Sequence, residues 1–327
     1  MRLIVGVDVG GTNVVVGTVP ENGGTVYGIK KERTLNTDGP DAVVAQIAQM
    51  VDHSLSDARS ELGTTTLDVA GVGIGSPGPL DTSTGIVLLT PNLGWRNFPL
   101  RDRVSEAVGL PATLDNDANC AIFGEWWQGA ARGADPVIGL TIGTGIGGGI
   151  VLGGQIYHGA SDIAGEIGHM SIDSTGRRCK CGNYGCIEAY ASGTAIADRA
   201  VEGIEAGADT NLPSYVGGNL ESITAQVVYD AARDGDEYAL ETIKDTARFL
   251  GTAVANLINI FNPQIVVICG GVTAAGETLF GPLRAEVTRR AFRPAVNACR
   301  IVPGELPGTA GVFGAVAAFK VQSWGGA

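Results

Sequence analysis

The sequence carries one pattern twice, and that repeat limits the folds open to it more than any other feature. VGVDVGGTNVVVG begins at Val5 and IGLTIGTGIGGGI begins at Ile138. Aligned without gaps, Gly6 falls on Gly139, Asp8 on Thr141, Gly10 on Gly143 and Val14 on Gly147. Each copy is an apolar run, a glycine turn and a second apolar run, the pattern of two strands joined by a tight turn. A hairpin that recurs near the start and near the middle of 327 residues predicts a duplicated α/β fold in two domains rather than one larger core.

The segments between the hairpins agree. Residues 43–62 carry apolar side chains at 44, 47, 51, 55, 58 and 62, the spacing of an amphipathic helix. Residues 69–75 and 112–115 read as strands, 100–108 as a helix, and another helix is expected from about 118. Thr224 caps a helix that Asp234-Gly235-Asp236 interrupts, and the next one stops at Asn262-Pro263. Residues 265–269 form an apolar strand ending at Gly270-Gly271, and the Ala- and Val-rich stretch 309–320 is the last helix.

Charge excludes whole classes of partner. A formal net charge of −12 opposes nucleic acid and anionic lipid, so neither nucleic acid nor membrane is expected. The apolar region 249–272 is broken by Asn256, Asn259, Asn262 and Pro263, which excludes a spanning helix. No signal-peptide core forms before Gly6 and Asp8. Six cysteines make no disulfide scaffold in a chain of this length. Three of them, at 179, 181 and 186, read as metal binding in a reducing, cytoplasmic compartment.

The glycine turns point to phosphate. Gly10 and Gly11 expose backbone N–H groups with no Cβ in the way, and Thr12 and Asn13 add side-chain donors. Asp8 ends the first strand, where a carboxylate can hold Mg²⁺ through water. The alternative is an ordinary hairpin turn. Gly143, Gly145 and Gly148 match G-x-G-x-x-G, yet Gly149 leads into the strand-like Ile150-Val151-Leu152, whereas a dinucleotide fold needs a helix there. No P-loop is present. The turns at 10–13 and 143–147, with Gly270-Gly271 after a third strand, offer two grips for a polyphosphate and a backbone surface for adenine.

His169, Cys179, Cys181 and Cys186 run as H-x9-C-x-C-x4-C, with Gly182 and Gly185 to bend the loop. Three thiolates and one imidazole complete a tetrahedral, structural Zn²⁺ site. Cys120, Cys269 and Cys299 are isolated in apolar surroundings and read as core. Asn116-Asp117 follows a strand and precedes a helix, so Asp117 is either a proton acceptor for a substrate hydroxyl or a helix cap. Glu166 and Glu188 flank the cysteine loop. With His169 they either meet sugar hydroxyls or are solvated surface charges. His53 and His158 carry no pattern.

These residues together resemble the ROK family of sugar kinases and repressors, over nearly the whole chain. The family's long signature fits Ile142, Gly145, Gly147, Gly149, Ile150, Gly159, Gly165, Gly168 and His169. The motif C-x-C-G-x-x-G-C-x-E fits Cys179 through Glu188, and DVGGTN fits the first phosphate motif. The resemblance implies an actin-like fold of two domains with a cleft between them. A small domain would span 1–115, completed by the helix 309–327, and a large one 116–308 with the zinc loop 169–188. It implies that Asp117 is the catalytic base on a sugar 6-hydroxyl. Asn116, Glu166, His169 and Glu188 would bind the sugar near Gly75. Asp8, Gly10, Gly11, Thr12, Asn13, Gly143, Thr144, Gly145 and Gly147 would hold the ATP phosphates with Mg²⁺, and Gly270 and Gly271 the nucleoside. A homodimer or homotetramer would be expected.

Within the family, PNLGWRNFPLRDRV followed by LDNDAN is most similar to glucokinases. LDNDANC also resembles N-acetylglucosamine kinases, mannose is a further alternative, and fructose ranks lower. Family repressors carry a DNA-binding domain before the DVGGT-like motif, which here starts at Asp8, so a kinase is expected. A non-catalytic sugar sensor would lack Asp117 or the phosphate turns. A hydrolase would need a nucleophile elbow that the sequence does not have.

Overall fold

The structure, a computed structural model, describes residues 1–90 and 93–325. Pro91 and Asn92, which open the glucokinase-like stretch, and Gly326 and Ala327, which end the expected closing segment, lie outside the described residues.

The strands are β1 (Arg2–Val9), β2 (Asn13–Pro20), β3 (Tyr27–Arg33), β4 (Asp68–Ser76), β5 (Leu80–Asp81), β6 (Ile86–Thr90), β7 (Trp95–Phe98), β8 (Ala112–Asn116), β9 (Val137–Ile142), β10 (Ile146–Leu152), β11 (Gln155–Ile156), β12 (Ile265–Cys269) and β13 (Arg300–Pro303). The helices are α1 (Pro40–Leu62), α2 (Leu100–Val108), α3 (Asp117–Gln128), α4 (Glu188–Ala191), α5 (Gly193–Glu205), α6 (Leu212–Tyr215), α7 (Ala225–Arg233), α8 (Glu237–Phe261), α9 (Glu277–Arg290), α10 (Arg293–Ala298) and α11 (Ala310–Trp324).

Two five-stranded sheets follow the same plan. One runs β3-β2-β1-β4-β8 and the other β11-β10-β9-β12-β13. In the first, β1 pairs antiparallel with β2 and parallel with β4, which is parallel to β8. In the second, β12 is parallel to both β9 and β13. The hairpin repeat in the sequence is thus a repeat of sheet order, and the fold is the actin-like α/β type. A smaller sheet, β5-β6-β7, accompanies the first.

The chain clusters into two compact units. The first holds Met1–Asp135, Gly149–Gly165 and the segment from Glu305 onward, and the second holds Pro136–Gly148 and Glu166–Gly304. In the first unit the sheet is buried on both faces. Val5, Val7 and Val9 join Val43, Ile47 and Met50 of α1 on one side. Ile4, Val15 and Val19 meet Val312, Val316 and Phe319 of α11 on the other. This alternation is the two-residue period of a strand, and double burial explains why β1 reads as an almost unbroken apolar run. Glycine lets α11 lie close. A Cβ on Gly73 of β4 would stand 1.9 Å from the Ala315 carbonyl, and one on Gly314 would stand 1.6 Å from the Cys120 carbonyl of α3.

The helices stop where local chemistry directs. Pro40 starts α1 and Gly63 ends it in the left-handed region at φ 63. In the second unit the Asp236 carboxylate accepts from Ala239 N at 2.8 Å to cap α8. Asn262, at φ 46, ends that helix before Pro263.

Candidate functional site

In the first unit the sequence-predicted residues converge at the C-terminal ends of β1, β4 and β8. The strand register puts Asp8 beside Gly75 and Gly75 beside Asp115, with Ser76 beside Asn116. Ligands of parallel α/β sheets bind at such strand ends. Gly75 is tight as well as central: a Cβ there would lie 3.2 Å from the Cys120 sulfur and 3.5 Å from Cα of Asp117.

The β1–β2 turn has a definite polarity. Gly10 N donates to the Asn13 carbonyl at 2.8 Å. The Gly10 carbonyl accepts from Thr34 Oγ1 at 2.7 Å, the Gly11 carbonyl from Asn36 Nδ2 at 3.4 Å, and the Thr12 carbonyl from Thr34 N at 2.9 Å. In a trans peptide the N–H points opposite the carbonyl it shares a plane with. The N–H groups of Gly11, Thr12 and Asn13 therefore face away from Thr34 and Asn36, together, as a phosphate cradle requires.

Asn116 and Asp117 divide the labour that the sequence left open between them. Asn116 is the cap: its Oδ1 accepts from Ala118 N at 2.9 Å and Asn119 N at 3.1 Å. Asp117 is the first helical residue, half-buried, with Oδ1 accepting from Ala118 N at 2.8 Å. The cap role that competed for Asp117 falls chiefly to its neighbour. Burial pushes the Asp8 carboxyl up to about 7, and the nearby Asp117 carboxylate adds to the rise. A carboxyl held that high next to another acid is a natural seat for a divalent cation.

In the second unit, the ligand atoms of His169, Cys179, Cys181 and Cys186 all lie within 4.8 Å of one another. The Cys181 and Cys186 sulfurs are 3.7 Å apart, and the Cys179 sulfur is 3.8 Å from His169 Nδ1. A Zn–S bond of about 2.3 Å gives a tetrahedral S–S edge of about 3.8 Å, so the spacing fits zinc. Burial pushes the Cys186 thiol up to about 12, a proton that a cation at the centre would displace. Gly182 at φ 98 and Gly185 at φ 73 make the loop. At Gly185 a Cβ would also meet the Asp173 carbonyl at 1.7 Å.

Glu188 is not a solvated surface charge. Its Oε2 accepts from Ile146 N at 2.9 Å, and its Oε1 lies 3.8 Å from the Cys179 sulfur. It ties the zinc loop to the second glycine turn, which leaves the Ile146 amide engaged rather than open. Glu166 and His169 bracket a short 3-10 turn and are exposed.

The second turn copies the first. The Gly143 carbonyl accepts from Gly193 N and the Thr144 carbonyl from Thr194 Oγ1, each at 2.8 Å. The Thr144 and Gly145 N–H groups therefore point away from α5. Gly147 lies in β10. A cavity of about 490 Å³ opens beside this turn, bounded by Gly143, Thr144, Gly193, Thr224, Tyr229 and Gly271. Gly270 stays out of the lining. At φ 98 it lets the chain pass the Ile142 carbonyl, which a Cβ would approach to 2.1 Å.

A profile of the ROK family matches residues 4–322. The chain belongs to the ROK family. This ROK protein is 39% identical over 323 residues to a glucokinase of Thermotoga maritima, with 98% of each chain covered. It is 35% identical to a ROK glucokinase of Streptomyces griseus solved in complex with glucose and AMPPNP. That match has a TM-score of 0.80 and covers 96% of this chain and 98% of that one. It is also 35% identical over 253 residues to a xylose repressor of Caldicellulosiruptor bescii, covering 77% of this chain and 63% of the repressor.

Among its described residues no helix is long and apolar enough to cross a membrane. Sequence reasoning missed several parts of this ROK protein's sites. Of the N-termini of α5 and α7 at the cavity, only the Thr224 cap of α7 was read from the sequence, and the Ser192 cap of α5 was not. Tyr229 gave no signal, and its hydroxyl is buried without a hydrogen-bond partner among the described residues. His158 also gave none, although its Nε2 lies 2.8 Å from Asp115 Oδ2. Cys299, read as core, is only half-buried, whereas Cys120 and Cys269 are buried.

Proposed function

We propose that this chain is an ATP-dependent hexose kinase that phosphorylates glucose at its 6-hydroxyl. The observation that carries this reading is the row of Asp8, Gly75 and Asp115 at the ends of three parallel strands, with the Asn116-Asp117 turn and an outward-facing amide cradle beside it. The glucose and AMPPNP bound by the Streptomyces griseus relative, at 35% identity, supply the substrate class.

In this reading Asp117 takes the proton of the 6-hydroxyl as its oxygen attacks the γ-phosphorus, the bond to the bridging oxygen breaks, and ADP leaves. The amides of Gly11, Thr12 and Asn13, with those of Thr144 and Gly145, stabilise charge on the phosphates. Asp8 would hold Mg²⁺ through water, which supplies further neutralisation. Asn116, Glu166, His169 and Glu188 bind the sugar. Asn116 serves with its amide nitrogen, since its oxygen caps α3. His169 Nδ1, 3.8 Å from the Cys179 sulfur, would serve the metal and leave Nε2 for a hydroxyl. His169, Cys179, Cys181 and Cys186 would hold a structural zinc, which would fix the loop that carries these groups. The 490 Å³ cavity takes the nucleoside, with Gly271 against it. Residues 1–115 with 309–327 would form the small domain and 116–308 the large one.

Coupled detection of ADP release with glucose, N-acetylglucosamine, mannose and fructose tests the reading. Glucose should give the highest kcat/KM, and Asp117→Asn should abolish turnover while calorimetry still detects glucose. Turnover retained in that variant removes Asp117 from the mechanism. A better kcat/KM for another sugar reassigns the substrate. Xylose binding without any phosphorylation would favour a repressor-like role instead.

A further inference from the structure

We propose that His158 is a positioning residue that holds the Asn116-Asp117 turn in place through Asp115. The inference rests on the kinase reading for its kinetic consequence, but not for its structural one.

Asp115 is 1% exposed, and its carboxylate is surrounded by donors. Oδ1 accepts from Asn116 N at 2.8 Å and from Asn119 Nδ2 at 3.4 Å. Oδ2 faces His158 Nε2 at 2.8 Å and accepts from Gln322 Nε2 of α11 at 3.2 Å. One oxygen thus orients the backbone of the turn that carries Asp117, and the other is held from outside. Asp115 is also one of three acids, with Asp8 and Asp117, whose charge is felt at the buried Cys120. A buried carboxyl group in such company needs a strong donor, and among its described partners only His158 can carry a positive charge.

The loop that brings His158 there is pinned at a second point. Asp162, in the left-handed region at φ 58, accepts through Oδ2 from Thr82 N at 2.9 Å and Thr82 Oγ1 at 3.0 Å. All of these residues belong to the first unit. The groups that face His158 are Asp115 on β8 and Asp162 on its own loop, while the partner Gln322 on α11 is neutral. The Asp115 hydrogen bond raises the imidazole above its ordinary 6.5, against the opposing effect of burial. His158 therefore keeps its proton to higher pH than a free histidine and loses it only as pH rises through that raised value.

The chain has three histidines, so ring signals can be assigned by loss in His158→Gln. In the wild type the His158 ring should titrate above 6.5, and Asp115→Asn should bring it down. Unchanged titration in Asp115→Asn overturns the coupling. In His158→Ala, whose melting temperature is checked first, the amide signals of Asn116 and Asp117 should move while those of Gly10 and Gly11 stay. Unmoved Asn116 and Asp117 signals overturn the positioning claim whether or not the protein is a hexose kinase. Absence of any hexose phosphorylation in the wild type defeats only the kinase reading. If the wild type is active, His158→Ala should lose kcat by about 10- to 100-fold. His158→Gln, which keeps a donor, should recover most of it and lose the wild-type fall in rate that accompanies loss of the His158 proton. Equal damage in the Ala and Gln variants, or wild-type kcat in His158→Ala, contradicts the proposal.

Discussion

Asp8→Asn should make the first unit more stable at pH 8 and change little at pH 4. The Asp8 carboxyl is half-buried at the end of β1 and its pKa rises from 3.8 to about 7. A folded-state value above the unfolded one means the native state holds the extra proton between those limits. The stability from this group is therefore complete below pH 3.8 and is lost as pH climbs through 7. The full rise corresponds to about 4 kcal/mol above pH 7. The carboxylate also lies at the first turn of α11, where a Cβ on Gly311 would come within 2.3 Å of Oδ2. A helix N-terminus favours an anion by up to about 1 kcal/mol, which leaves about 3 kcal/mol. Asparagine keeps the shape and removes the charge. Trp95, Trp126, Trp127 and Trp324 all belong to the first unit, so tryptophan fluorescence in urea, without magnesium, follows that unit's unfolding. The variant should exceed the wild type by about 3 kcal/mol at pH 8 and by less than about 1 at pH 4. A variant no more stable at pH 8, or a gap that does not shrink in acid, contradicts a raised Asp8 carboxyl.

Two further outcomes follow from packing and from the metal. Gly314→Ala places a methyl 1.6 Å from the Cys120 carbonyl, and two helix backbones must part to admit it. A loss of about 3 kcal/mol is expected, seen as a melting temperature lower by roughly 6–12 °C, and an unchanged melting point would show that α11 can shift freely. Cys181→Ala removes one ligand of the tetrahedral set at an exposed position, so zinc measured by mass spectrometry should be lost and glucose affinity should fall. Normal glucose affinity in metal-free protein would show that the loop does not build the sugar site.

The parts of this molecule that were legible in its sequence share one property: their signal is local. The hairpins, α1 and the stop at Asn262-Pro263 are each set by residues within a few positions of one another. The zinc loop is local in the same sense, because H-x9-C-x-C-x4-C closes on itself through two glycines. What sequence reasoning missed is made by distant residues meeting. His158 and Asp115 are 43 residues apart, and Gln322 reaches the same carboxylate across 207. No periodicity can announce such a pair, so a lone histidine in a glycine-rich loop looked idle.

Glu125 shows the same limit without a catalytic role. Inside α3 it resembles any helical acid, yet its carboxylate is 1% exposed and accepts from Ala130 N, Glu305 N and Leu306 N at 2.9, 3.0 and 2.9 Å. It satisfies backbone donors at the end of its own helix and at the start of the segment that leads into α11. A buried carboxylate with three backbone amides is structural cement, whereas Asp8 is a half-buried carboxyl raised by desolvation and by a neighbouring acid. The two are indistinguishable as letters. What separates them is which groups surround each one: fixed donors that satisfy the charge at Glu125, and at Asp8 a missing counter-charge that a cation can provide.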